Sequence, residues 1–465
     1  MGGGAAGATA AYCLTKNSKL SLTLIEKSNR IGGMAASFEL FNQIVDIGPH
    51  RFFSTDRRVN TLWLEVVEKD YKMVNRTTRI LYQKKFFDYP LKPFDALIKL
   101  GVFKTIQCIG SYLYYKIFPH KANHTFEGWV TNRFGKKLYK TFFKSYTEKL
   151  WGIPCTELNA EFAQQRIKKF SLGAAIISAF KLNNNKHKTL VDQFAYPIKG
   201  TGSVYEKMMN IAQSKGLNYK PNCTIKTIEK INTYWQITFS NGEIERYENI
   251  ISSMPITDLL QILPAVPQHI LNATKQLKFR NTIIGYVHIK QTNLFKDQWL
   301  YIQEENIKTG RITNFNNWVK DILFENHTGT ILALEYWCYE TDNIWQYTET
   351  QLQKIAIEDL LKCGFIKNET DVLAFKKIQI PKCYPVYDNN YKPYLDEIIS
   401  YLKTIENLQL IGRYGSFKYN NQDHSILMGY LAAENIINNS NHNLWDINTD
   451  YEYQESSKIT ETGLV

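Results

Sequence analysis

Apolar and polar positions along the chain follow two different periods. Residues 8–15 carry apolar positions at helical spacing, and Leu20-Ser-Leu-Thr-Leu-Ile25 is a short apolar run of β type. Phe38 to Val45 alternates as a hairpin and residues 78–87 as a second strand pair, after which Tyr89-Pro90-Leu-Lys-Pro93 breaks the chain direction. From about 94 to 192 the period is helical. Alternation returns at 216–252, where Asn241-Gly242 predicts the tight turn of a β-meander, and the buried-strand pattern Asn249-Ile-Ile-Ser-Ser-Met254 stops at Pro255. Residues 280–340 are strand-rich again. Leu408 to Ile411 reads as a last short strand, followed by a glycine turn and a helix over about 425–438, and the sequence beyond 440 is polar and loose.

A β-α-β start, and a strand, glycine turn and helix near the far end, predict an α/β fold whose first domain is discontinuous. Its parts are residues 1–80, 195–255 and 405–440. Residues 81–194 form a largely helical insert, 256–404 a second domain built on an antiparallel β-sheet with helices, and 441–465 a tail.

Length and composition allow two or three compact units: 465 residues, 44% hydrophobic and 14% aromatic. The excess of 56 basic over 44 acidic residues favours an anionic partner, such as a nucleotide, a sugar nucleotide or an acidic membrane face, with a solvated basic surface as the plain alternative. A nucleic-acid partner is not expected, and oligomeric state is open. The seven cysteines are scattered without a C-x-x-C pair, which argues against a disulfide framework or metal site and fits a cytoplasmic location, as does the lack of a signal peptide before the first glycines. Asn75 and Asn123 head Asn-x-Ser/Thr triplets of the kind chance supplies in an Asn-rich chain. No apolar run reaches the roughly 20 residues a membrane span needs. The nearest, Phe94 to Phe118, is interrupted by Lys99, Lys104 and Lys116; it reads as an amphipathic core helix, with peripheral membrane contact as the alternative.

The chemistry concentrates first at the amino end. Gly2, Gly4 and Gly7 fit G-x-G-x-x-G, where one glycine makes a tight turn, the second admits a pyrophosphate against the backbone and the third lets helix and strand pack closely. The pyrophosphate would sit at the positive helix N-terminus, and Glu26 stands where an acid accepts ribose hydroxyls. Such a turn ordinarily follows a full strand, whereas only Met1 stands before it here. A second pair, Gly32-Gly33, resembles the continuation in FAD enzymes of the glutathione-reductase-like class, where it turns the chain under the flavin.

Four further stretches carry a more specific resemblance. They are Asp46-Ile-Gly48-Pro49-His50-Arg-Phe-Phe-Ser54, then Tyr146-Thr-Glu-Lys-Leu-Trp151-Gly with Arg166 beyond it, then Tyr384-Pro-Val-Tyr387, and finally Gly412-Arg413-Tyr-Gly415-Ser-Phe-Lys-Tyr419 followed by Asn421-Gln-Asp423-His424-Ser425. In this order they resemble the UDP-galactopyranose mutases, within the wider amine-oxidase and protoporphyrinogen-oxidase-like group of FAD enzymes. Ala163-Gln-Gln-Arg166-Ile and Gly310-Arg311-Ile-Thr-Asn-Phe-Asn-Asn-Trp318 are more similar to the oxidoreductases of that group.

The resemblance implies FAD as cofactor, held by Gly2, Gly4, Gly7, Glu26, Gly32, Gly33, Gly48, Pro49, Gly412, Gly415, Asp423 and His424, with Asp423 and His424 capping the last helix. For a mutase it implies a nucleotide-sugar substrate and a reduced flavin, NADPH or NADH serving as reductant, whose N5 attacks the anomeric carbon. Arg166 and Arg413 would take the diphosphate, with Arg280 as a weaker third, because a guanidinium fork binds phosphate oxygens bidentately and keeps its charge. Tyr387 and Tyr419 would donate hydroxyls to the same phosphates, Trp151 would bound the chamber, and His50 would shape the loop or contact the flavin. The alternative is an FAD-dependent oxidase or desaturase acting on an amine, porphyrinogen-like or polyprenyl substrate.

Overall fold

The computed structural model describes residues 1–89, 91, 93–161 and 193–448. Helix α1 (Ala5–Asn17) begins directly after the glycine turn, and strand β1 (Thr23–Ile25) follows it. The hairpin expected at 38–45 is β2 (Ser37–Leu40) and β3 (Gln43–Asp46). Next come β4 (Tyr71–Asn75), β5 (Thr78–Tyr82) and β6 (Lys85–Asp88). The helical insert holds α2 (Pro93–Leu100), α3 (Val102–Ile117), α4 (Phe126–Tyr139) and α5 (Ser145–Trp151), with a π-helical turn at Lys140–Lys144 before α5. Strand β7 (Gln193–Pro197) returns to pair with β4, and α6 (Gly202–Ser214) leads into β8 (Asn218–Lys220).

The glycine-turn domain is a parallel layer assembled from distant segments. β1 pairs with β8, and β12 (Ile250–Ser252) pairs with β18 (Leu408–Leu410). Met1 and Gly2 lie between the two pairs: Gly2 N donates to Ile25 O at 2.7 Å, Ser253 N donates to Met1 O at 2.9 Å, and the Met1 amino group donates to Ile251 O at 2.6 Å. Met1 and Gly2 thereby bridge the two strand pairs. The meander β9 (Ile225–Ile231), β10 (Tyr234–Phe239) and β11 (Ile244–Tyr247) forms as read, with Gly242 at φ +91° in its last turn.

A seven-stranded sheet makes the second layer, in the order β17 (Val372–Pro385), β13 (Phe279–Ile289), β16 (Thr330–Cys338), β15 (Arg311–Asn314), β14 (Trp299–Ile302), β5, β6. It is antiparallel except between β14 and β5, which run parallel. The boundary expected at residue 80 therefore falls inside a strand of this sheet. The reason is pairing: Thr78 to Leu81 align with Trp299 to Ile302 and leave the glycine-turn domain. β16 is buried at all nine positions, which explains a run that is apolar but for Thr330 and Glu335.

Helix α7 (Gln422–Ile437) closes the first domain by crossing α1. The crossing is close because of Gly429, where a Cβ would come within 2.3 Å of the Ala6 carbonyl oxygen and 3.0 Å of Thr9. The insert departs from expectation. α3 turns Cys108 toward the core and packs on α4 at Gly135, whose missing Cβ would meet Tyr112 N at 2.6 Å, but its apolar stripe faces outward instead of into a core. Among the described residues no helix is long and apolar enough to cross a membrane.

A pair of substitutions tests the crossing. Gly to Ala inside a helix ordinarily stabilises by about 1 kcal/mol. Gly110→Ala, on α3 with nothing within 4 Å of the new Cβ, should follow that rule, whereas Gly429→Ala should reverse it and lower the melting temperature by several degrees. Thermal denaturation of both variants decides; a stabilised Gly429→Ala would mean that α1 and α7 do not cross this tightly.

Candidate active site

The first half of the site is a backbone cradle. Gly2 has φ +93°, and a Cβ on Gly7 would lie 1.9 Å from Gly2 O, so the turn and the first helical residues admit no side chains at those positions. Glu26 reaches over the turn: its Oε2 accepts from Gly3 N at 2.6 Å and its Oε1 from Ser28 N at 2.8 Å. Gly32 (φ +98°) donates its N–H to Gly3 O at 2.9 Å, and a Cβ on Gly33 would lie 3.0 Å from Gly4 Cα. The two glycine pairs are therefore packed against each other. Gly412 (φ +76°) sits 3.1 Å by its absent Cβ from Ala6, and Gly415 lies similarly against Ser252 O. No side chain caps α1 at Gly4, which leaves its first N–H groups and the positive end of the helix to an anion.

The helix-capping expectation needs correcting. Asn421, not Asp423, is the N-cap of α7, and His424 acts from the third position, its Nδ1 accepting from Asn421 N at 3.1 Å. Asp423 lies buried in the first turn, where a carboxylate complements the helix dipole. Beside it Gln422 accepts from Tyr205 Oη at 2.7 Å and donates to Arg51 O at 3.3 Å, which docks the start of α7 onto the His50 loop.

That loop hangs from Asp46. Its carboxylate accepts from Ser37 Oγ at 2.5 Å, Tyr196 Oη at 2.9 Å and Thr201 N at 3.2 Å, while its carbonyl accepts from Tyr286 Oη at 2.7 Å. Burial pushes the Asp46 carboxyl up to about 6 although these donors oppose the shift. Gly48 follows at φ +91°, and Thr201 Oγ1 holds His50 O at 3.3 Å. His50 as a residue is half-buried, but its Nδ1 is sealed from solvent with no protein partner. Burial, then the Arg413 and Arg311 charges, lower its pKa to about 3, so the ring is neutral across the physiological range.

The second half of the site is a ring of aromatic side chains with two guanidinium groups. Tyr384 stacks on Tyr419 at 5.3 Å between centroids, and Trp151 contacts both at 6.3 Å and Tyr387 at 6.2 Å. Tyr387 Oη accepts from Tyr419 N at 2.7 Å. Arg413 lies over Tyr419 at 4.8 Å and Tyr384 at 5.5 Å, donating through Nε and Nη2 to Asn420 O and through Nη1 to Cys383 O. Its Nη1 also meets Met34 Sδ at 3.9 Å, next to Gly33. Arg311 and Glu335 form a bidentate pair at 2.7 and 2.6 Å, with Arg311 Nη2 3.4 Å from Tyr384 Oη, and the Glu335 carboxylate comes within 4.0 Å of the Cβ direction of Gly48. Although burial alone would disfavour its charge, Glu335 holds Arg311 firmly protonated. A continuous set of contacts thus runs from Gly48 through Glu335, Arg311, Tyr384 and Arg413 to Met34 and the glycine turn.

Gly2, Gly4, Gly7, Glu26, Gly32, Gly33, Gly412 and Gly415 pack around the turn; Trp151, Tyr387, Arg413 and Tyr419 gather with Tyr384; Gly48, Pro49 and His50 lie on the loop between them; and Asp423 and His424 stand in the first turn of α7. Arg166 lies outside the described residues. Arg280 is spent elsewhere: it donates to Lys149 O, Leu150 O and Trp337 O and pairs with Asp342, clamping the end of α5, where a Cβ on Gly152 would strike its Cζ at 2.4 Å. The sequence did not single out Arg311, Glu335 or Tyr384 as site residues. Glu335 left a signal, being the one charged residue in the nine-residue apolar run of β16. A bound dinucleotide fits what is present: a cradle without side chains, an uncapped helix N-terminus with Glu26 beyond it, and an unpartnered His50 Nδ1 near the chamber. Among the described residues no group of side chains could hold a metal ion.

The chain belongs to the flavin-containing amine oxidoreductase family, whose model matches residues 5–437. It is therefore a flavin-dependent enzyme, and FAD is the cofactor this family implies. The chain is similar to the coproporphyrinogen III oxidase of Staphylococcus aureus (strain NCTC 8325 / PS 47), at 20% identity over 94% of this chain and 98% of that protein. In fold it is similar to reduced UDP-galactopyranose mutase, with a TM-score of 0.83 at 21% identity over 97% of this chain and 98% of the other. A putative protoporphyrinogen oxidase from Exiguobacterium sp. 255-15 follows with a TM-score of 0.72 at 15% identity, covering 94% and 98%.

Two outcomes follow from the charges. Arg311→Met should destabilise by about 3–5 kcal/mol because it strands Glu335, and the double change Arg311→Met with Glu335→Leu should recover most of that loss, as read by denaturant unfolding. For His50 the unfolded chain takes up a proton near pH 6.5 while the native ring does not until about pH 3. Its contribution is thus complete above pH 6.5 and falls by up to about 1.4 kcal/mol per pH unit on acidification toward 3. Comparing wild type with His50→Gln isolates this slope from that of Asp46, which runs the other way between its unfolded value and about 6; identical pH profiles would exclude a buried neutral ring.

Proposed function

We propose that this flavin-dependent enzyme is a sugar-nucleotide mutase of the UDP-galactopyranose/UDP-galactofuranose type. The observation that carries the reading is the placing of two guanidinium groups and a stack of phenols beside the Gly48–His50 loop and the cradle. Arg311 is balanced by Glu335 and His50 is neutral, so among the described residues the net charge of the chamber comes from Arg413. One positive charge held against aromatic rings suits a departing diphosphate on a sugar.

FAD, when bound and reduced, supplies an electron-rich ring nitrogen as nucleophile, so no side chain need supply one. Arg413 keeps N–H bonds beyond those given to Asn420 and Cys383, and these would bind the phosphate oxygens. Tyr384 is held as a neutral donor: burial first, then the neighbouring Cys383, raise its pKa far above the ordinary phenol value. Tyr387, Tyr419 and Trp151 would wall the sugar and exclude water, and Arg166 would bind the same diphosphate. NADPH or NADH would reduce the cofactor.

The second reading, an oxidase for a carboxylate-bearing porphyrinogen, is favoured by the likeness to the staphylococcal coproporphyrinogen oxidase, since the same cation would pair with a propionate. The two part cleanly in one experiment. FAD-loaded enzyme reduced with dithionite under nitrogen should interconvert UDP-galactopyranose and UDP-galactofuranose, followed by chromatography, with no oxidant consumed. Arg413→Ala should lower kcat/KM at least about a thousandfold while flavin content is unchanged, the scale expected when a transition-state cation is lost. Oxygen-dependent oxidation of coproporphyrinogen without sugar interconversion would replace the first reading with the second.

A further inference from the structure

Helix α3 is 16 residues long, about 24 Å, and one side of it meets no other part of the described protein. Val102, Phe103, Ile106, Leu113, Ile117 and Phe118 recur at helical spacing along that side; Phe103 is 85% exposed and Val102 74%. Ile98 of α2 extends the patch at 64%. A single exposed leucine means little, but a contiguous apolar stripe along four turns is far outside what a protein surface carries by accident. At about 100° per residue, Lys116 falls on one flank of the stripe and folds back along the Tyr112 ring at 5.6 Å, whereas Lys104 lies toward the Cys108 side and donates to Gln83 Oε1 at 2.8 Å. The opposite side of α3 is fixed on α4 at Gly135, so the stripe cannot turn inward.

Charge identifies the occupant. Residues 93–147 hold nine lysines and arginines against two acids, Asp95 and Glu127. A second copy docking through the same face would bring two such basic surfaces together, which a two-fold contact cannot avoid. An apolar stripe on so basic a segment, with Lys116 at its edge, matches the interface of a bilayer, where the apolar residues enter the acyl boundary and the cations reach anionic headgroups. We propose that the outward face of α2 and α3 inserts into one leaflet of an anionic membrane, lying in its plane. The inner side of the same helices belongs to the apolar cluster that contains Trp151 and Tyr384, so the membrane-facing layer backs directly onto a wall of the chamber. The inference stands apart from the choice between mutase and oxidase.

The test is sedimentation of the purified full-length, FAD-loaded protein with vesicles of phosphatidylcholine alone or mixed with phosphatidylglycerol. Binding is expected to the mixed vesicles, at least about tenfold weaker to phosphatidylcholine alone, and reduced at high salt. Phe103→Ser with Ile106→Ser and Ile117→Ser should abolish it, and Lys116→Gln should weaken it severalfold, each with flavin content and melting temperature retained. The indole introduced by Phe103→Trp should be quenched by brominated lipid in the mixed vesicles. Binding that the serine variant leaves intact, an unquenched indole in the Phe103→Trp variant, or no binding to either vesicle would overturn the proposal. So would a dimer in light scattering that the serine variant disperses, which would assign the face to a second copy.

Discussion

The buried Asp46 carboxylate is the junction on which the site depends. Through Ser37, Tyr196 and Thr201 it joins the β2–β3 hairpin to β7 and the start of α6, and through its own carbonyl and Tyr286 it fastens both to the large sheet. Three segments far apart in sequence are thereby fixed to one residue two positions ahead of Gly48. A buried acid with three donors is costly to leave unsatisfied, so every partner is held in place by the others. The orientation of the His50 loop follows from this clamp more than from the loop's own sequence.

The chamber illustrates how one environment assigns different protonation states. Arg311 keeps its charge because a carboxylate sits bidentate against it; His50, a few ångströms away, loses its charge to the same arginines and to burial. The Tyr384 phenol, pushed far above its ordinary range by burial, serves as a neutral donor. The result, among the described residues, is a cavity wall with fixed dipoles and one uncompensated cation, Arg413.

Much of this was legible in the chain. The glycine spacing, Glu26, the Asn241-Gly242 turn and the last strand–turn–helix unit are local signals with local causes, and each forms where its residues stand. What was not legible depended on partners distant in sequence. The boundary at 80 was misplaced because β5 finds β14 more than 200 residues later, a pairing no local period encodes. Arg280 and Arg311 lie on neighbouring parts of one sheet and carry the same chemistry; only the carbonyls around one and the carboxylate facing the other separate a clamp from a site residue. The outward turn of α3 was missed because periodicity fixes that a helix has an apolar side but not what covers it.

The discontinuous cradle has a consequence for how the enzyme comes into being. Gly4 and Gly33 are made long before their partners: the parallel layer needs β18 and one wall of the site needs α7, which leave the ribosome only after residues 408–437 have been made. Contacts of such sequence separation form slowly, and until they do the amino-terminal helix has its apolar side uncovered. A chain halted before residue 408 would thus have the phosphate turn without the walls that retain what it binds.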